Sequence, residues 1–307
     1  VINGKVIKAI IPARMTSNRL PGKVLMSLAG KPNLQRMIER VKASKLLDGI
    51  VIAITTNPQD DCLVDFCLAN NVECFRGSEN NVLERLINAA KDTNTDVIVE
   101  ATSDCPLIWH EHIDCLIDLH MESYPEHDLT TNILTRTFPR GFDLRIVNIE
   151  VLEKSLKEID NQRDLEHALT WLYLNPEGRK RYKVQSWEAQ GVQRRPELSL
   201  TLDTESDSEL LSWIFSFESQ GYNLQLNPEQ VIGLIDTYPG QYEKVSRVQR
   251  KDYFAELEEA YKTKDAMEQA VLNGSPTKKA KPVGILNNTK GAKKQDEPKK
   301  RTRTKKV

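Results

Sequence analysis

Two rhythms alternate over the first hundred positions. Val6–Ile11 (VIKAII), Gly49–Thr55 (GIVIAIT), Val72–Phe75 and Asp96–Ala101 (DVIVEA) are short, nearly continuous apolar runs, the pattern of strands buried on both faces. Between them, Leu34–Ala43 (LQRMIERVKA), Asp60–Asn70 and Asn81–Lys91 (NVLERLINAAK) repeat apolar residues three and four apart, the pattern of helices with one buried stripe. This alternation predicts βαβ units: an α/β fold with a mostly parallel sheet, helices on both faces and right-handed crossovers. Ligands of such sheets bind beyond the carboxyl ends of the strands. PARMTSNRLPGK (12–23) and ATSDCPLI (101–108) begin there, after the first and fourth predicted strands.

The second half is less regular. Leu129–Ile133 and Leu144–Val147 are candidate strands, and Leu198–Leu202 (LSLTL) is a strand ending at Asp203. Glu150–Glu158, Arg163–Leu174, Asp207–Gln220, Pro228–Leu234 and Asp252–Ala270 have helical spacing. From about Asn273 the periodicity stops, and a Lys-, Pro-, Gly-, Asn- and Thr-rich stretch follows that cannot offset its chain entropy. The expected organisation is an α/β domain over 1–250, a C-terminal helix over 251–272 and a disordered basic tail over 273–307.

Charge divides the chain in the same way. Gly274–Val307 holds twelve Lys/Arg against two Asp/Glu, a net of +10, while the whole chain of 307 residues is −1, leaving −11 for the rest. The tail is expected to solubilise, to make loose non-specific contact with nucleic acid or anionic surfaces, or to dock onto an acidic partner. It has no aromatics to stack on bases, so sequence-specific nucleic-acid binding is not expected. No apolar run approaches the ~18 residues of a membrane helix, and VINGKVIKAIIPAR reads as a strand leading into a motif, not a signal peptide. Five cysteines without a CxxC give neither a disulfide framework nor a zinc site. A cytoplasmic protein is expected.

PARMTSNRLPGK has the make-up of a phosphate cradle. Pro12 cannot donate to the sheet ladder and ends the strand. Gly22 permits backbone geometry closed to other residues. Arg14 can fork onto phosphate oxygens, with Arg19 and Lys23 adding charge nearby. The loop is not the common phosphate-loop motif, since GxxxxGK[ST] is absent. His110 and His112 in WHEHID stand two apart, on different faces of a helix, which argues against a zinc pair.

IIPARMTSNRLPGKVL (10–25) resembles the opening motif of the cytidylyltransferases that make CMP-activated acidic sugars, the CMP-Kdo and CMP-acylneuraminate synthetases. It is most similar to the branch of spore coat polysaccharide biosynthesis proteins, whose usual form is near IIQARMGSTRLPGKVL. In the same order, FRGSENNVLERLINAA resembles RGSEDDVLDRYYQAA, TSDCPLI resembles TGDCPLI, and FPRGFDLRIV resembles YPDGLDVEVF. RDLEHAL resembles REHVT, and LSLTLDTESDSELL resembles LRLTVDTPEDLEL. The likeness spans about residues 5–245 and implies a Rossmann-like nucleotidyltransferase fold and transfer of CMP from CTP to a sugar acid, with pyrophosphate leaving. It implies Mg²⁺ as cofactor at Asp104 and Asp203, and Arg14, Lys23 and Asp104 as the catalytic set. Pro12, Ala13, Arg14, Arg19, Lys23, Arg76, Ser78 and Ser103 would bind nucleotide, with Asn81 and Arg85 close by. Arg140, Asp143, Glu166 and His167 would face the acceptor. A homodimer through part of residues 135–185 is also implied. By position alone, Asp104 also suits a turn before Pro106, and Asp203 a helix cap.

Four positions depart from the family pattern, which often has Arg at Glu100, Gly at Ser103, an Asp at Trp109 and an acid near Arg145. A changed acceptor or weaker catalysis is one expectation from these. Two other readings use the same residues: a transferase for another nucleotide or a phosphorylated acceptor, and a non-catalytic nucleotide-binding scaffold working through its basic tail.

Overall fold

The computed structural model describes residues 1–17, 19–219, 225–248, 259, 261 and 262. Most of the helix expected over Asp252–Ala270 and all of the basic tail lie outside the described residues. The alternating half folds as its pattern predicts, with ends displaced by one or two residues. β1 (Ile7–Pro12) leads through a loop and a small hairpin, β2 (Ser27–Leu28) with β3 (Lys31–Pro32), into α1 (Asn33–Val41). Then come β4 (Gly49–Thr55), α2 (Asp61–Ala69), β5 (Glu73–Gly77), α3 (Val82–Asp92) and β6 (Val97–Glu100). The second half adds α4 (His110–Ser123), β7 (Leu129–Thr131), β8 (Arg145–Asn148), α5 (Ile149–Leu156), α6 (Gln162–Glu166) and α7 (Thr170–Leu174). It continues through α8 (Pro176–Arg181), β9 (Val184–Ser186), α9 (Glu205–Ser219), α10 (Pro228–Thr237) and α11 (Pro239–Ser246).

Seven strands form one sheet in the order β5-β4-β1-β6-β8-β7-β9. β1 pairs in parallel with β4 and β6, β4 with β5, and β7 with β9; only β8 runs against its neighbours β6 and β7. The sheet is therefore mostly parallel. Alternate residues of β1 enter different layers: Ile7, Ala9 and Ile11 pack with α1, α2 and α4, while Ile10 packs with α3, α5 and α7. Each such aliphatic side chain stabilises the fold by roughly 1.5–3 kcal/mol. A third apolar cluster joins Leu198, Leu200 and Leu202 to Leu211, Ile214 and Phe215 of α9 and Val231 of α10, and so fixes the place of the next residue, Asp203.

Besides the short elements β2, β3, α8, β9 and α11, which the sequence pattern did not mark, three features differ from the sequence expectation. α4 was not foreseen, because His112 and His120 occupy buried positions in its stripe beside Ile113, Leu116 and Ile117. Burial lowers the pKa of both imidazoles to about 4, so they pack as neutral rings. The single helix expected over Arg163–Leu174 is broken. Ala168 adopts a left-handed φ of 43° between α6 and α7, which a continuing helix cannot accommodate. Leu198–Leu202 buries alternate leucines but is no sheet strand. Its one ladder-type bridge among the described residues is to Arg140, through Arg140 N–H to Leu198 O (2.9 Å) and Leu200 N–H to Arg140 O (2.7 Å). Gly141, at φ 110°, permits this approach, since a Cβ there would lie 2.8 Å from Leu200 O.

Candidate active site

The loop after β1 is pinned from below. Asp60, wholly buried ahead of α2, accepts the Met15 N–H at 2.7 Å on one oxygen. Its other oxygen accepts the Thr55 hydroxyl at 2.5 Å, at the end of β4. The loop then closes on itself, with Gly22 N–H donating to Met15 O at 3.0 Å and Gly22 at φ 71°. A short turn of 3-10 helix, Lys23–Leu25, follows and sets the direction of Lys23.

Lys23 joins the distant parts of the chain. Its ammonium donates to Asp104 Oδ2 at 3.0 Å and to Asp203 Oδ1 at 2.9 Å. Arg19 donates to the same Asp203 oxygen at 2.8 Å. Asp104 lies beyond β6, and its carbonyl accepts the Leu202 N–H at 2.8 Å, which ties the two aspartate-bearing segments together. Helix capping ahead of α9 falls to other groups: Asp207 accepts the N–H of Asp203 (3.0 Å) and Thr204 (2.8 Å), and Thr204 Oγ1 accepts the Asp207 N–H (3.3 Å). The Asp203 carboxylate thus faces the cations. Burial alone would raise the Asp104 pKa, but Lys23 and a hydrogen bond from Thr102 outweigh it and hold the pKa below the ordinary value. Burial opposes the charge on Lys23, and the two carboxylates outweigh it and raise the pKa of its ammonium.

A cavity of about 440 Å³ opens beside this cluster. The β1 loop contributes Pro12, Ala13, Arg14, Thr16, Ser17, Arg19 and Lys23 to its lining, and the segment after β6 contributes Thr102, Ser103 and Asp104. Val82 and Arg85 come from α3, and Glu166, His167, Ala168 and Thr170 from the break between α6 and α7. Glu166 faces Arg14, oxygen to nitrogen, at 3.5 Å. Burial lowers the His167 pKa, which leaves a neutral ring at pH 7.

Of the residues singled out from sequence, Pro12, Ala13, Arg14, Arg19, Lys23, Ser103, Asp104, Glu166 and His167 line this one cavity, and Asp203 joins them through Lys23 and Arg19. Arg85 lines it too, whereas Asn81, which caps α3, and four others do not. Arg76 turns to the end of β4, donating to Thr55 O and Asn57 O (both 3.1 Å) and pairing with Asp61 at 2.7 Å. Ser78 makes a turn, its hydroxyl accepting the Asn81 N–H at 3.1 Å. Arg140 supplies the backbone bridge to Ser199. Asp143 is held by both arms of Arg136, at 2.5 and 2.9 Å. Thr16, Thr102 and Thr170 line the cavity without a sequence signal that marks them.

The departures at Glu100 and Arg145 turn out to be one feature. The two residues are cross-strand partners on β6 and β8, form a buried ion pair and line the cavity together. Arg145 also donates to the Tyr173 hydroxyl at 3.2 Å. Burial opposes its charge, and Glu100 outweighs the penalty and raises the guanidinium pKa. The two positions that depart from the resemblance thus balance each other's charge across β6 and β8. Trp109, the other bulky departure, is buried in the apolar cluster beneath α9.

Comparison with known proteins agrees with this geometry. Residues 8–172 match the cytidylyltransferase family. The spore coat polysaccharide biosynthesis protein SpsF of Bacillus subtilis is 30% identical over 236 residues, 75% of this chain and 94% of that protein. A cytidylyltransferase structure from Leptospira borgpetersenii superposes with a TM-score of 0.70 at 30% identity, covering 80% of this chain and 99% of the other. CMP:2-keto-3-deoxy-manno-octonic acid synthetase, solved with CTP, shares the fold at a TM-score of 0.54 and 18% identity, over 69% of this chain and 99% of that one. With the family match and the Rossmann-like, mostly parallel sheet, the chain belongs to the cytidylyltransferase family and is a nucleotidyltransferase.

Proposed function

We propose that this enzyme couples CTP to a sugar acid, releasing pyrophosphate, with Mg²⁺ held by Asp104 and Asp203, in the synthesis of a surface glycan. The observation that carries this reading is the sharing of one ammonium, that of Lys23, by carboxylates 99 positions apart at the edge of the cradle. Their oxygens already surround a cation, and oxygen donors suit Mg²⁺. Among the described residues no three His, Cys, Asp or Glu are arranged to hold a metal, so water and phosphate oxygens would complete the shell of an ion at this pair. When bound, Mg²⁺ supplies charge neutralisation for the phosphoryl oxygens and the leaving pyrophosphate.

The chain's own groups have distinct tasks. Lys23 and Arg19, at the edge of the cradle, would bind phosphate oxygens of the nucleotide, and Arg14 would add a forked contact. Asp60 keeps the loop rigid, so these donors are placed before substrate arrives. Glu166 and the neutral His167, presented by the break between α6 and α7, face the acceptor hydroxyls. The likeness to a polysaccharide biosynthesis protein supports a glycan destination. The proposal also takes the enzyme to be a cytoplasmic homodimer with part of residues 135–185 at the contact, which light scattering after gel filtration tests.

The test is incubation with CTP, Mg²⁺ and a panel of 3-deoxy-2-keto sugar acids, with pyrophosphate and the CMP-sugar mass as readouts. Turnover with at least one acid is expected. Silence across the panel from a folded protein whose melting point CTP does not shift would overturn the reading. Preference for UTP, GTP or ATP would reassign the nucleotide.

A further inference from the structure

Arg85 is a charge that the protein buries without a direct ion pair among the described residues. Its side chain stands in the first half of α3, the residue is 2% exposed, and it forms part of the cavity wall. Three other arginines are comparably buried, and each has a carboxylate partner: Arg36 and Arg40 share Glu218, and Arg145 has Glu100. Among the described residues no carboxylate forms an ion pair with Arg85. Its Nη1 donates to the carbonyl oxygens of Ser78 (2.5 Å) and Glu79 (3.4 Å), and its buried Nε has no partner.

The two acids whose charge favours the guanidinium, Asp60 and Glu79, make their hydrogen bonds elsewhere. Asp60 holds the Met15 N–H and the Thr55 hydroxyl, and Glu79 accepts the Thr16 hydroxyl at 3.2 Å. Burial, followed by repulsion from Arg14, outweighs attraction from Asp60 and Glu79 and lowers the Arg85 pKa to about 10, so the group is charged at neutral pH. A buried cation left in this way is costly, and proteins ordinarily pair it. Yet the fold makes room for it: a Cβ at Gly77 would lie 2.9 Å from Arg85 Cγ. A side chain given space, oriented by two carbonyls and set beside a second arginine in a substrate cavity is arranged for an oxyanion that arrives from outside.

We propose that Arg85, together with Arg14, forms an oxyanion subsite on the α3 wall of the cavity, separate from the Lys23–Asp104–Asp203 cluster. The inference rests on the nucleotidyl-transfer reading above and adds a second anchor to it. The anion is either a phosphate of the nucleotide or the carboxylate of the sugar acid.

Titration calorimetry of wild type, Arg85→Gln and Arg85→Lys with inorganic pyrophosphate, CTP and 3-deoxy-manno-octulosonate, each alone, distinguishes the two sources. Arg85→Gln is expected to lower affinity at least about tenfold for the phosphate probes or for the sugar acid, whichever the subsite takes. Its melting temperature without any anion should match or exceed that of wild type, because an unpaired charge has been removed. Arg85→Lys, which keeps the charge but not the fork, should fall between the two. Unchanged affinity of Arg85→Gln for all three probes overturns the subsite and leaves the transferase reading standing. Equal loss of stability with and without anion makes Arg85 a structural residue and also overturns it. Should Arg85→Gln fail to fold, unchanged affinity of Arg85→Lys for every probe decides against the subsite. Wild type that binds none of the probes takes the transferase reading down as well.

Discussion

Two ion-paired centres line the same cavity and differ in how much water reaches them. At the first, the side chains of Lys23, Asp104 and Asp203 are 15%, 25% and 13% exposed, and two carboxylates share one ammonium. At the second, Glu100 and Arg145 are 6% and 9% exposed, and Tyr173 closes the pair. A partly wet cluster of three can exchange its ammonium for another cation and release Lys23 to a phosphate. A sealed pair cannot change partners without leaving a charge buried, at several kcal/mol. The first centre is therefore suited to chemistry, and the second to holding β6 and β8 in register while shaping the cavity.

The strongest challenge to that contrast is Asp104→Asn. It keeps the shape of the side chain but removes half of the negative pair, so turnover should fall about 10³-fold while the circular dichroism and melting point stay near wild type. Retained turnover would remove Asp104 from the reaction. The sealed centre should respond in the opposite sense. Arg145→Met leaves Glu100 buried and unpaired and should destabilise the fold by about 3–5 kcal/mol, measured by urea denaturation. Glu100→Met with Arg145→Met should recover most of that loss, and the exchanged pair Glu100→Arg with Arg145→Glu should fold. A cost under about 1 kcal/mol for the single variant would show that water reaches the pair after all. The smallest effect is expected outside both centres. Arg76→Ala removes an exposed pair with Asp61, worth about 0–1 kcal/mol, and should leave the nucleotide KM within about twofold. A tenfold rise would place Arg76 in the nucleotide site and redraw the cavity.

How far the site could be read in advance follows from distance along the chain. The cradle lies within twelve consecutive residues after a strand, so Pro12, Arg14, Gly22 and Lys23 were legible from local rules alone. The motif FRGSENNVLERL carries two arginines, and the resemblance assigned Arg76 to the nucleotide, with Arg85 close by. The structure turns Arg76 along the sheet edge toward Asp61 and sends Arg85 into the cavity wall. No periodic signal separates them, because the choice depends on the direction of β5 at the edge of the sheet. The break at Ala168 was equally hidden: apolar spacing runs on through Arg163–Leu174, and a left-handed residue other than glycine leaves no mark in composition. The exchange between Glu100 and Arg145 read as two separate departures until the antiparallel register of β8 set them opposite each other.

The alternation of strands and helices in the first half, the basic loop after β1 and the family resemblance were set by residues close in sequence, since hydrophobic period and turn chemistry act over a few positions. The meeting of Asp203 with Asp104, the neutral pairing of Glu100 with Arg145 and the unpaired charge of Arg85 were decided only by packing. Each depends on which side chains lie within a few ångströms after the sheet closes, and on how much water is left between them.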